Sequence, residues 1–234
     1  GGRIGCGSET DSHGEAESKT ELYERIRAKE AALGRPTCIL ADLPGPKLRL
    51  GRFSGVFALE RGAQLNLHCG VPEMDNASPT DLPVEYAGLS AELHPGDPVL
   101  IADGLVRLVV NSTTGVPSGT VACTVEDGGP VSARKGVNVP GPMVDLPAIG
   151  PNDKAAIAHA LEAGADYIAV SYVRTPDDLR PAIAAVKAAG KHVPIVAKIE
   201  HPMALKRLDE ILDLADAVMV ARGDLGVEIP LEDV

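Results

Sequence analysis

The chain has 234 residues, and 22 Lys and Arg against 33 Asp and Glu give a formal net charge of −11. That is long enough to bury a sizeable core, and 44% apolar with 24% charged residues marks a folded globular chain rather than a disordered one. An acidic balance of this size argues against nucleic acid and anionic membrane surfaces as partners. With 3% aromatics and no Trp it offers little for base stacking, and no apolar run approaches the ~18 residues of a membrane helix.

In chain order, residues 18–51 read as a helix followed by a strand. Glu21, Tyr23, Ile26 and Ala32 lie in a helix-favouring stretch that Gly34 closes, and CILADL (38–43) is a short apolar run entering Pro-Gly-Pro. Residues 52–137 change character. Gly and Pro are frequent, and short alternating runs at 99–110 and 121–125 predict a small all-β module with tight turns. From 138 onward strands and helices alternate, which implies βα units and a parallel sheet.

The last third is the most regular. DYIAVS (166–171) predicts a strand, and Thr175-Pro176-Asp177-Asp178 starts a helix running through Ile183 and Val186 to Gly190. PIVAKIE (194–200) predicts the next strand. An amphipathic helix carrying Leu205, Leu208, Ile211 and Leu212 follows, and AVMVARGD (217–224) is a third strand. Val170, Ala197 and Ala221 stand at equivalent positions one βα step apart. Such repeats build either a doubly wound sheet or a (β/α)8 barrel; no GxGxxG follows any strand, so the dinucleotide fold lacks support.

Charged residues appear at the C-terminal ends of these strands. Side chains at i and i+2 share a strand face, so Lys198 and Glu200 point the same way. Asp224 ends the next strand. Glu200 and Asp224 can therefore converge on one divalent cation such as Mg2+, which takes one or two carboxylates and fills its octahedron with water and substrate oxygens. Lys198 adds positive charge for an anionic substrate or a developing enolate. An ion-pair network rimming the sheet is the bland alternative. Arg49 suits bidentate contact with a phosphate. Arg134-Lys135-Gly136 puts two cations beside a glycine where the β module rejoins the βα region, a place for a lid hinge. The six histidines do not cluster, and four scattered cysteines without a CxxC read as reduced thiols of a cytoplasmic protein.

ADLPGPKLRLG, RKGVNVPG, SYVR, AKIE and MVARGDLGVEIP stand in the order and spacing of the pyruvate kinases, and the chain from about residue 36 to 234 resembles that family. The resemblance implies a (β/α)8 TIM-type barrel, incomplete here, with an inserted all-β lid. Residues 1–51 and 138–234 would be barrel and 52–137 the lid. It implies phosphoryl transfer from phosphoenolpyruvate to ADP, giving pyruvate and ATP through a Mg2+-stabilised enolate, with Mn2+ as a substitute metal. On this likeness Glu200 and Asp224 match metal ligands, and Lys198 the lysine beside the transferring phosphoryl group and enolate. Gly223 and Asp224 touch substrate, while Arg49 and Lys135 meet nucleotide phosphates. Arg3 stands where a substrate-phosphate arginine is expected, although Ser12-His13-Gly14 imitates the family's Ser-His-Gly more literally.

Asp42, Leu43 and Lys47 occupy the monovalent-cation region. Lys47 replaces the glutamate of K+-dependent members, so no K+ requirement is expected. The family habit is a cytoplasmic homotetramer. Set against the family, this sequence is expected to lack the first strand, the last two strands and the C-terminal domain. It is therefore expected to be poorly stable, aggregation-prone and weakly active by itself. A Mg2+-dependent aldolase or lyase of the related phosphoenolpyruvate/pyruvate barrels, and a non-catalytic fragment, are the competing readings.

Overall fold

A computed structural model describes residues 14–115, 119–140 and 145–234. In chain order, α1 (Gly14–Leu33) leads to β1 (Leu40–Asp42). The strands β2 (Val56–Leu59), β3 (Gln64–Cys69) and β4 (Asp81–Val84) precede a helical turn, α2 (Leu89–Glu92). Then come β5 (Pro98–Ile101), β6 (Val106–Thr114), β7 (Thr120–Asp127), β8 (Gly129–Ser132) and β9 (Val137–Asn138). The last part alternates: α3 (Pro151–Ala163), β10 (Tyr167–Val170), α4 (Arg180–Ala188), β11 (Ile195–Ile199), α5 (Pro202–Lys206), α6 (Leu208–Leu212), β12 (Ala217–Val220) and α7 (Arg222–Glu228).

These elements divide into two compact units, one of residues 1–46 and 147–221, the other of residues 47–146 and 222–234. The first unit is built on a parallel sheet in the order β1-β10-β11-β12. Its inner strands are continuous apolar runs, Ile168 to Val170 and Ile195 to Ala197, all nearly inaccessible. Parallel strands covered on both faces read this way. Tyr23 of α1, Ile157 and Leu161 of α3, and Ala182 and Val186 of α4 pack with them into one core. Pro151 opens α3, and Gly164 ends it in the left-handed region at φ 81°.

The second unit carries a six-stranded sheet, β4-β3-β7-β6-β5-β9, and a two-stranded ribbon of β2 and β8. Alternation decides its inside. Leu65, Leu67 and Cys69 of β3 and Val121, Cys123 and Val125 of β7 face inward, each at most 2% exposed. They form a core with Leu82, Val99, Ile101, Val106 and Leu108.

Three expectations are corrected. The single helix expected over Leu205–Leu212 is two short helices broken at Arg207 (φ −119°, ψ 23°), where the Arg207 N–H closes a tight turn onto the Ala204 carbonyl at 3.2 Å. Ala204 and Ile211 are buried there, whereas Leu205 and Leu212 are 42% and 46% exposed. The strand expected to reach Asp224 stops at Val220, because its partner β11 ends at Ile199, opposite Val220. The chain then turns into α7, whose first turn contains Asp224, a favourable place for an acid. Val170 does stand opposite Ala197, but Ala197 stands opposite Val218 rather than Ala221.

Candidate functional site

The ends of β1, β10 and β11 bring four polar side chains together. Because Val170 pairs with Ala197, Ser171 falls beside Lys198, and β1 lies on the other side of β10. The Lys198 ammonium donates to Ser171 Oγ at 2.8 Å and pairs with Asp42 Oδ1 at 3.1 Å and Glu200 Oε1 at 2.9 Å. Lys198 and Glu200 side chains are only 12% and 5% exposed. The same-face expectation for Lys198 and Glu200 is met.

Burial pulls the Lys198 pKa down, but Glu200 and Asp42 more than reverse this, and its net pKa lies above the ordinary lysine value. The ammonium is therefore kept charged. The surrounding carboxylates outnumber it, and Glu200 is positioned rather than neutralised. Its Oε2 accepts the Tyr172 N–H at 2.8 Å, while Oε1, although near the ammonium, has no aligned hydrogen-bond donor. A buried carboxylate oxygen in that condition retains a lone pair for a cation. Tyr172 itself sits in the left-handed region at φ 57°, a strained conformation for a residue with a side chain. That backbone turn accompanies the N–H bond to Glu200.

Next to Glu200, His201 is buried and caps α5, its Nδ1 accepting the Met203 N–H at 3.1 Å. Its ring meets Tyr172 edge-on, with centroids 5.3 Å apart. Burial, reinforced by Arg174, lowers its pKa to about 4, so the ring is neutral near pH 7 and its Nδ1 remains an acceptor.

The loop after β1 is fastened as well. Ser171 Oγ donates to the Leu43 carbonyl at 2.6 Å, and the Leu43 N–H donates to Ala169 O at 2.9 Å. Gly45 follows at φ 69°, and a Cβ there would lie 2.7 Å from Ser171 Cβ. Only glycine fits that approach.

The other expected residues lie in the second unit or outside the described residues. Lys47, Arg49 and Lys135 gather around Gly136: Arg49 bridges to Gly136, its Nη1 donates to the Arg134 carbonyl at 3.1 Å, and a Cβ on Gly136 would lie 3.5 Å from Lys47 Cε. Lys47 and Lys135 are exposed. Gly223 and Asp224 are exposed in α7, with no heavy atom within 4 Å of where a Gly223 Cβ would stand. Arg3, Ser12 and His13 lie outside the described residues. No group of three or more His, Cys, Asp or Glu side chains suited to a metal occurs among the described residues. No helix there is long and apolar enough to cross a membrane.

Sequence reasoning missed Ser171, Tyr172 and His201 as parts of this site. For Ser171 a signal existed: once the two apolar strands are aligned on their buried runs, it falls beside Lys198. Tyr172 acts through its backbone, which side-chain identity does not reveal.

Comparison with known proteins agrees with this architecture. Residues 10–234 match the family "Pyruvate kinase, barrel domain". Arg3 falls before that match. The chain is 43% identical over 226 residues to a pyruvate kinase of Mycobacterium tuberculosis, covering 95% of this chain and 46% of the relative. It is 42% identical over 226 residues to one of Corynebacterium efficiens, with the same coverages. A pyruvate kinase of Methylorubrum extorquens is 44% identical over 225 residues, covering 95% of this chain and 45% of that protein. The chain thus spans about half the length of the curated relatives it matches. With the parallel sheet, the separate β module and the strand-end lysine and glutamate in place, the chain belongs to the pyruvate kinase barrel-domain family.

Proposed function

We propose that this chain supplies the catalytic centre of a pyruvate kinase, which moves the phosphoryl group of phosphoenolpyruvate to ADP. The P–O bond of phosphoenolpyruvate breaks as a bond to the ADP β-phosphate forms, and the released enolate takes a proton at carbon to give pyruvate. The carrying observation is Lys198, a charged ammonium held at a strand end by Ser171, Asp42 and Glu200.

Phosphoryl transfer asks a protein mainly for positioning and charge neutralisation. Lys198 meets the negative charge that spreads over the phosphoryl oxygens and collects on the enolate oxygen. Glu200, fixed by the Tyr172 N–H and ion-paired with Lys198 through Oε1, and Asp224 are the two residues that match the family's Mg2+ or Mn2+ carboxylates. A divalent cation held there would supply Lewis-acid neutralisation of the charge that develops during transfer. Gly223 contributes a backbone contact to substrate, and Arg3 a cation for its phosphate. Arg49 and Lys135 supply positive charge for the nucleotide phosphates, and the β module acts as the lid. Asp42 and Leu43 form the monovalent-cation region, where the Lys47 ammonium makes K+ unnecessary. The parent protein would be a cytoplasmic homotetramer.

Pyruvate release from phosphoenolpyruvate, ADP and Mg2+ tests this reading in the full-length protein. Turnover is expected to change less than about twofold between K+ and Na+, and Lys198→Met should lower kcat by about 10³-fold. Activity retained in Lys198→Met would remove the lysine from the chemistry. Strong K+ activation would remove Lys47 from its role.

A further inference from the structure

Asp153 is a carboxylate on the first turn of α3, only 3% exposed, that the proposed chemistry does not use. Among the described residues no cation pairs with it. Its Oδ1 accepts the Gly45 N–H at 3.0 Å and its Oδ2 the Gly150 N–H at 2.9 Å. These two glycines are special by position. The first unit runs to Pro46 and resumes at Pro147, so Gly45 lies just before the chain leaves it and Gly150 just after the chain returns. One buried carboxylate therefore holds both crossings.

The Gly45 end continues toward the site. Gly45 lies flush on Ser171, leaving no room for a Cβ. Ser171 in turn donates to Leu43 O at 2.6 Å and receives the Lys198 ammonium at 2.8 Å. A helix cap needs only the bond to Gly150, the residue preceding α3. The bond to Gly45 spans 108 residues and does nothing for α3.

We infer that Asp153 is a positioning residue: it fastens the exit and the return of the chain to one point and thereby seats Ser171 under Lys198. A buried carboxylate bound only by backbone N–H groups is strongly committed to that geometry, since losing either bond leaves an unpaired charge out of water.

Native-state amide exchange in the full-length protein tests this. In the wild type, Gly45 and Gly150 should open with one free energy and one dependence on denaturant, as members of a single cooperative unit. In Asp153→Asn, whose amide can accept but not twice in the same way, protection of both should fall together by at least tenfold. The Ile168 amide should keep its protection. The Lys198 side-chain ammonium resonance should broaden with them, a signature that a simple cap would not move. Loss at Gly150 alone, with Gly45 and Lys198 unchanged, would reduce Asp153 to a cap and overturn the inference. Should Asp153→Asn fail to fold, the wild-type comparison still decides: different opening free energies for the two glycines would overturn it. None of these readouts uses turnover, so the result stands apart from the reaction proposed above.

Discussion

At Lys198, two carboxylates surround one ammonium in a mostly buried setting. A Lys–Glu pair alone would be a structural bridge; Asp42 makes the group net negative. Because the Lys198 pKa is raised above its ordinary 10.5, its favourable contribution is complete below that value and is lost only as pH rises through the higher folded value. Another residue gives a cleaner titration. Asp81 of β4 accepts from His68 of β3 at 2.8 Å and from Thr80 Oγ1 at 2.8 Å, and the His68 bond foremost lowers its pKa below the ordinary 3.8. A lowered carboxylate pKa stabilises the fold above the unfolded value and loses that contribution as pH falls through the folded one. Carboxyl NMR should therefore find Asp81 titrating below 3.8, and His68→Ala should move it upward. An unchanged midpoint in His68→Ala would show that the ring has no hold on it.

Among the secondary-structure elements, legibility followed the range of the forces involved. The two-residue period of a strand put Lys198 and Glu200 on one face, and the alternating runs at 99–110 and 121–125 marked an all-β module, because both are local properties. The end of β12 was not legible, since it depends on where its neighbour β11 stops, and neither was the break at Arg207. Asp153 escaped for the same reason: its bond to Gly45 crosses the whole β module in sequence. Glycine positions separate local from tertiary demands in a measurable way. Gly34, after α1, has φ 60° with open space around it, so Gly34→Ala should cost only the left-handed penalty, about 1 kcal/mol. Gly45 has φ 69° and meets Ser171 as well, so Gly45→Ala should cost about 2–4 kcal/mol in denaturant unfolding followed at β10. Equal losses would mean that the contact with Ser171 relaxes freely.

For the molecule as a whole, the decisive feature is that it contains two hydrophobic cores. One is built from residues between Leu48 and Val139, the other from Tyr23 to Leu43 together with Ile149 to Ile211, and among the described residues no buried side chain is common to both. Composition cannot show this, because the same 44% of apolar residues could fill one core or two. The consequence is thermodynamic. Cooperativity comes from shared burial, so units with separate cores can open separately. Leu67 of β3 is fully buried at the centre of the β module's core, and Leu67→Ala should remove about 2–5 kcal/mol through lost transfer energy and a residual cavity. Residue-resolved hydrogen exchange should show that loss at the amides of β3, β6 and β7, while those of β10 and β11 keep wild-type protection. The reciprocal change, Leu179→Ala beneath the parallel sheet, should lower β10 and β11 and spare the β module. If either substitution lowers every amide by the same amount, the two cores act as one cooperative unit despite sharing no buried side chain.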